Sequence, residues 1–256
     1  MTGRFPLVLA LAVLAAAAAL PAHAEHPAEC TVSSDLTASD FALARVARAI
    51  AAKHLDVLVV GAGSSTLPGP GGANYAYPSQ LQHALTEKLP GVAVKLTTDV
   101  QARRTAAEMV MSMPAAAAAA KPSLVVWQTG TVDAMEAIDP DQFNAALERG
   151  IKIAHSAGAD VVLVNSQYSP RTEAMIALGT YEENMRWVAV QQEIPLFDRF
   201  SIMKFWSDQG IFDLYSATKK LDIAERVHNC IGRLLADFVI EAAKPAEPAP
   251  QSGDRN

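Results

Sequence analysis

Two consecutive serines, Ser64 and Ser65, follow the turn Gly61-Ala62-Gly63 and precede Thr66 and a second glycine cluster, Gly69-Pro70-Gly71-Gly72. The residues before them, Leu55-Asp56-Val57-Leu58-Val59-Val60, form a short apolar run, so the serines sit where a buried strand gives way to a helix. That layout exposes a hydroxyl at a helix N-terminus, where amides and the helix dipole stabilise negative charge on a reacting acyl group. A serine hydroxyl is a poor nucleophile without a base beside it. Two acids could serve, Asp133 and Asp213, but a carboxylate is a weak base unless burial raises its pKa. The same loop also fits an ordinary βα turn with polar caps. It matches the dinucleotide fingerprint in part, but that motif's third glycine is Thr66, and Asp99 stands well beyond the usual ~20-residue distance.

The elements that must position these residues alternate regularly. Leu55 to Val60, Val92 to Leu96, Ser123 to Trp127, Asp160 to Val164 and Ile194 to Phe197 read as strands whose near-continuous apolar character implies cover on both faces. Pro78 opens a helix that stops at Leu89-Pro90-Gly91. Asp139 caps another, with Pro140 in its first turn and Gly158 beyond its end. A final helix over about Thr218 to Ala242 carries the stripe Ala224, Val227, Ile231, Leu234, Leu235, Phe238, Val239. The alanines Ala115 to Ala120, between Pro114 and Pro122, read as a short surface helix, and Arg103-Arg104 as a solvated helix start or a partner for an anion. The predicted class is α/β, a doubly wound, five-stranded, mostly parallel sheet with helices on both faces. Ligands of such sheets sit beyond the carboxyl ends of the strands. That rule selects the loops after Val60, Thr98 and Gln128 and the segment around Asp213; Gln167-Tyr168-Ser169-Pro170, after the fourth strand, fits either the same cleft or a turn.

From about Ala49 to Ala243 the chain resembles the SGNH (GDSL) hydrolase family, whose fold is of this SGNH or flavodoxin-like type. Gly63-Ser64-Ser65-Thr66 is similar to the family's Gly-Asp-Ser-x-Thr block, and Tyr77-Pro78-Ser79 to the segment that follows it. Gly130-Thr131-Val132-Asp133, after a buried strand, is similar to the Gly-x-Asn-Asp block, and Asp213-Leu214-Tyr215-Ser216 to the Asp-x-x-His block. The resemblance implies hydrolysis of acyl or acetyl esters, with Ser64 and Asp213 as catalytic residues and Ser65 the second candidate for the nucleophile position. Gly63, Ser65, Thr66, Gly130, Val132, Asp133 and Ser216 would then form the binding site. It implies an acylated or acetylated envelope glycan, or a small ester, as partner, and no cofactor.

The departures from the family pattern are chemical. Val132 replaces the asparagine that donates to the oxyanion, the stretch Asp99 to Thr105 lacks the second block's glycine, and Ser216 stands at the catalytic histidine position. Among the other histidines, His26 lies in the N-terminal arm, His54 precedes the first strand, and His83 and His155 lie on helices away from the serine loop. His228 lies about twelve residues into the last helix, roughly 18 Å from its start at 1.5 Å per residue. These residues therefore describe a fold and pocket with impaired catalysis, or an esterase using Ser64 with an atypical base.

Met1 to Ala24 reads as a secretory signal: Arg4, the apolar stretch Phe5 to Leu20, and the small-x-small site Ala22-His23-Ala24. The stretch is shorter than the roughly 20 residues that span a bilayer. Residues 25–243 then form one domain, with a disordered tail over 244–256. Losing Arg4 moves the net charge from −6 to −7, with 20 basic against 27 acidic residues, a balance that argues against nucleic acid. Cys30 and Cys230 are an isolated pair that an oxidising compartment, periplasmic or extracellular, would bridge. No CxxC or HxxxH spacing suggests a metal site.

Overall fold

β-Branched and aliphatic residues dominate five short segments that pair edge to edge in a computed structural model describing residues 27–216 and 220–244. The expected signal over Met1 to Ala24, His26, Thr218 at the expected helix start, and the tail beyond Lys244 lie outside the described residues. The strands are β1 (His54–Gly61), β2 (Ala93–Val100), β3 (Leu124–Gln128), β4 (Asp160–Val164) and β5 (Leu196–Phe197), in the order β2-β1-β3-β4-β5. Every pairing is parallel. The chain reverses its direction of travel across the sheet between β1 and β3, so the crevice at their carboxyl ends is the topological switch point.

Side chains alternate across each strand and divide the core in two. Leu55, Val57 and Val59 of β1, Leu124 and Val126 of β3, and Val162 and Val164 of β4 face one layer. That layer contains α1 (Ala44–Ala51), α3 (Tyr77–Lys88), α9 (Arg199–Asp208) and α10 (Leu221–Ala242). Leu58, Val60, Val125, Trp127, Val161 and Leu163 face the other, built on α4 (Ala106–Ala120), α6 (Pro140–Ser156) and α8 (Gly179–Gln191). Three short helices, α2 (Gly72–Tyr75), α5 (Thr131–Met135) and α7 (Pro170–Met175), sit in the loops beyond the strand ends.

Three sequence expectations need correction. β2 is not covered on both faces: it is the sheet edge, and Val94 and Leu96 lean on the core while most of its other residues are exposed. The alanine run is not a separate helix, because α4 starts at a Thr105–Glu108 capping box and continues through Pro114. Its buried stripe Met109, Val110, Met113, Ala117 holds it on the sheet, and that packing outweighs the lost proline donor. Arg104 is buried rather than solvated: its guanidinium meets the Asp99 carboxylate at 3.1 Å and the Asp99 carbonyl at 2.6 Å, tying the end of β2 to the start of α4.

Helix α10 lies against α3 at a distance that only glycine permits. A Cβ at Gly232 would stand 2.5 Å from Gln80 Cβ and 2.7 Å from the Leu81 backbone nitrogen. Cys30, in the 3-10 turn Ala28–Cys30, is bridged to Cys230 on α10, and both are fully buried. The disulfide and the Gly232 contact together fix α10 against the N-terminal arm and α3.

Candidate functional site

The loop after β1 is built around its serines. Gly61 has no side chain because a Cβ there would lie 2.2 Å from Ser65 Oγ. Gly63–Ser65 forms one 3-10 turn, which aims both hydroxyls at the end of β3. Ser64 Oγ donates to Gln128 Oε1 at 2.9 Å and Ser65 Oγ to the same atom at 2.8 Å; Ser65 Oγ also meets the Tyr77 hydroxyl at 3.1 Å. Ser65 is buried, whereas Ser64 lines a cavity of about 500 Å³.

Gly63, Thr66, Leu67 and Pro68 continue the cavity wall on the loop side. Gln167, Tyr168 and Ser169 after β4, with Thr172 of α7, form a second wall. Arg199 and Met203 of α9 and Leu221, Ala224, Val227 and His228 of α10 close it. The α10 residues recur every three to four positions, so one face of its first two turns meets the cavity. Distance along the helix from Thr218 sets His228 far from the serine loop, but the helical run begins at Leu221 and its first turns lie across the pocket.

His228 Nδ1 accepts from the Tyr77 backbone N–H at 2.9 Å, satisfying an orphan amide at the start of α3. A neutral imidazole has one ring lone pair for hydrogen bonding, so this bond places the proton on Nε2. Burial, with the Arg199 guanidinium nearby, pulls the His228 pKa down to about 3. A ring so held is neutral and offers the cavity a donor rather than an acceptor. Among the described residues, Ser64 Oγ makes no hydrogen bond to an imidazole.

Arg199 is fully buried, and burial pulls its pKa down to about 10. Nη1 donates to the Ser64 carbonyl at 3.1 Å and Nη2 to Gln167 Oε1 at 3.4 Å. The guanidinium stacks 5.3 Å from the Tyr77 ring centroid.

The remaining sequence-predicted residues lie elsewhere. Asp213 is exposed and accepts from the Ser216 backbone N–H at 3.1 Å, and neither residue lines the cavity. Asp133 is buried, which raises its pKa, and it accepts from the Ala106 N–H at 2.9 Å and the Thr129 hydroxyl at 3.3 Å. It therefore holds the N-terminus of α4 and faces a separate cleft with Thr105 and Phe143. Val132 packs against the second core layer. Gly130, at φ +97°, has room for a Cβ only 3.2 Å from Met185 Sδ and 3.5 Å from Ser166 Oγ.

Beneath that loop, Glu182 on α8 is 2 % exposed, and burial pushes its pKa up to about 7. One oxygen accepts from the Ser166 backbone N–H at 3.2 Å and the other has no partner among the described residues. The folded protein keeps this proton until about pH 7, whereas the unfolded chain releases it near 4.5. Stability is thus lost as pH rises through that window and levels off above it. Glu182→Gln is expected to stabilise the protein by about 3 kcal/mol at pH 8 and by little at pH 4.5. Urea unfolding of both proteins at the two pH values measures this, and an equal effect at both would refute it.

The sequence model of the non-GDSL lipase-like family matches residues 29–245. The chain belongs to that family. No curated protein sequence matches this non-GDSL lipase-like chain significantly. Its fold is shared with solved structures at low identity. TesA is 21% identical with a TM-score of 0.55, over 71% of this chain and 99% of that one. A putative lipolytic protein of the G-D-S-L family from Desulfitobacterium hafniense DCB-2 is 15% identical, TM-score 0.52, over 71% and 98%. A catalytic mutant of Axe2, an acetylxylan esterase from Geobacillus stearothermophilus, is 15% identical, TM-score 0.57, over 74% and 94%. The non-GDSL lipase-like chain thus shares the α/β fold of these structures.

Proposed function

We propose that this is an exported SGNH-like protein that binds an acylated or acetylated ligand in the Ser64 cavity without hydrolysing it. One observation carries the reading: the Ser64 hydroxyl donates to a carboxamide oxygen, Gln128 Oε1, which cannot take up its proton. The imidazole in the cavity, His228, has its lone pair occupied by the Tyr77 amide. Removing the base from a serine triad costs on the order of 10⁶ in kcat. The buried disulfide suits an oxidising compartment, and the signal-like composition of Met1 to Ala24 supports export to the periplasm or beyond. Among the described residues no helix is long and apolar enough to cross a membrane. An acylated or acetylated envelope glycan or a small ester fits the family, and the structural neighbours include an acetylxylan esterase.

Exposure of the folded mature protein to a fluorophosphonate tests this. Intact mass is expected to stay unchanged under conditions that label a working serine esterase fully. An adduct that Ser64→Ala abolishes would establish an active esterase with an atypical base and end the binding-only reading.

A further inference from the structure

The cavity contains a cation with no anion to match it. Arg199 has no exposed surface, yet among the described residues no carboxylate pairs with it. Its sequence neighbour Asp198 is engaged by Arg186 at 2.8 Å and Asn165 at 2.7 Å. Among the described residues, two of the five N–H bonds of the guanidinium find acceptors, both neutral, and Nε is buried without a partner. Among the described residues that line the cavity there is no Asp or Glu, although the chain as a whole carries a charge of −6. A buried charge without a counter-ion is costly. The Tyr77 ring offsets part of that cost by cation–π attraction, but supplies no negative charge.

The rest of the wall restricts the counter-ion further. Leu67, Pro68, Met203, Leu214, Leu221 and Val227 give the lining a broad aliphatic face. A bare inorganic anion would leave that surface unfilled. His228 adds a second donor, since its Nε2 carries the ring proton. Gln167, whose oxygen holds Nη2 at the long distance of 3.4 Å, is the acceptor that a stronger anion would displace.

We propose that the natural occupant of the Ser64 cavity is an aliphatic carboxylate, its head on Arg199 and its chain along the apolar wall of α10. This rests on the binding-only part of the reading above and goes beyond it in the ligand: the pocket selects the free acid over its neutral ester. The ligand would satisfy the guanidinium bidentately, the geometry for which arginine is suited.

Calorimetric titration of the full mature protein with octanoate, methyl octanoate and octanol tests the charge preference with the chain length constant. Octanoate is expected to bind at least tenfold more tightly than either neutral probe. Arg199→Met is expected to abolish that preference, and Arg199→Lys to retain part of it. Equal binding of the three probes, or no binding of octanoate, overturns the proposal, and the wild-type series decides this even if Arg199→Met does not fold. Equal binding would leave an acyl-binding pocket intact, whereas release of acid from methyl octanoate would strike the binding-only reading instead.

Discussion

Eliminating the Cys30–Cys230 bridge is expected to cost about 5 kcal/mol of stability on the chain-entropy account, because it closes a loop of 200 residues. The effect is large for a protein whose whole margin is typically about 5–15 kcal/mol. Both sulfurs are fully buried, so the oxidised bridge is protected once the fold has formed. The loss also reaches the pocket. Cys230 lies two residues beyond His228 on α10, and the bridge holds that helix to the N-terminal arm. Urea unfolding of the Cys30→Ala/Cys230→Ala double variant against wild type measures the difference. Reductant should move the wild type by a similar amount and leave the double variant unmoved. A loss below 1 kcal/mol would show that contacts between α10 and α3 hold the helix without the bridge.

The second large effect is acid sensitivity centred on His228. Its folded pKa is about 3 against 6.5 for the free side chain, lowered first by burial and then by Arg199. Below pH 6.5 the unfolded chain takes up a proton that the folded protein refuses until about pH 3. Stability from this group is therefore complete above pH 6.5 and falls as pH drops through that window. By pH 4 the loss amounts to about 3 kcal/mol. Replacing His228 by Asn keeps an acceptor for the Tyr77 amide but removes the titration. The His228→Asn variant should accordingly gain on wild type by about that amount between pH 7 and pH 4, read from denaturant midpoints. Parallel pH profiles for the two proteins would mean that the ring is not held neutral.

Much of the fold was readable along the chain. The apolar runs ending at Val60, Trp127 and Val164 are strands because branched side chains crowded on both faces need cover from two layers. Asp139 caps α6 as its position before Pro140 requires, accepting from the Asp141 and Gln142 amides. β2 and α4 escaped because edge position and tertiary packing are properties of neighbours. Neither Val94 nor Pro114 carries a local mark of which element will lie beside it.

The site was legible only in part. The rule that ligands gather beyond strand ends could have found two residues the reading passed over: Gln128 closes β3, and Arg199 stands two positions after β5. His228 had no such signal. Its place in the cavity depends on how α10 crosses the sheet, which Gly232 and the disulfide set by contacts with Gln80, Leu81 and Cys30.

By itself the amino-acid sequence determined the alternation of strands and helices and the serine turn at the switch point. It also supplied one cysteine pair suited to bridging. Periodicity and turn chemistry act between near neighbours, so these features survive without knowledge of the rest. Tertiary structure alone decided that the Ser64 proton points to Gln128, that His228 serves the Tyr77 amide, and that Arg199 is sealed in the cavity wall. Those outcomes depend on distances between residues 64 to 151 positions apart, which are set by sheet order and close packing rather than by spacing along the chain.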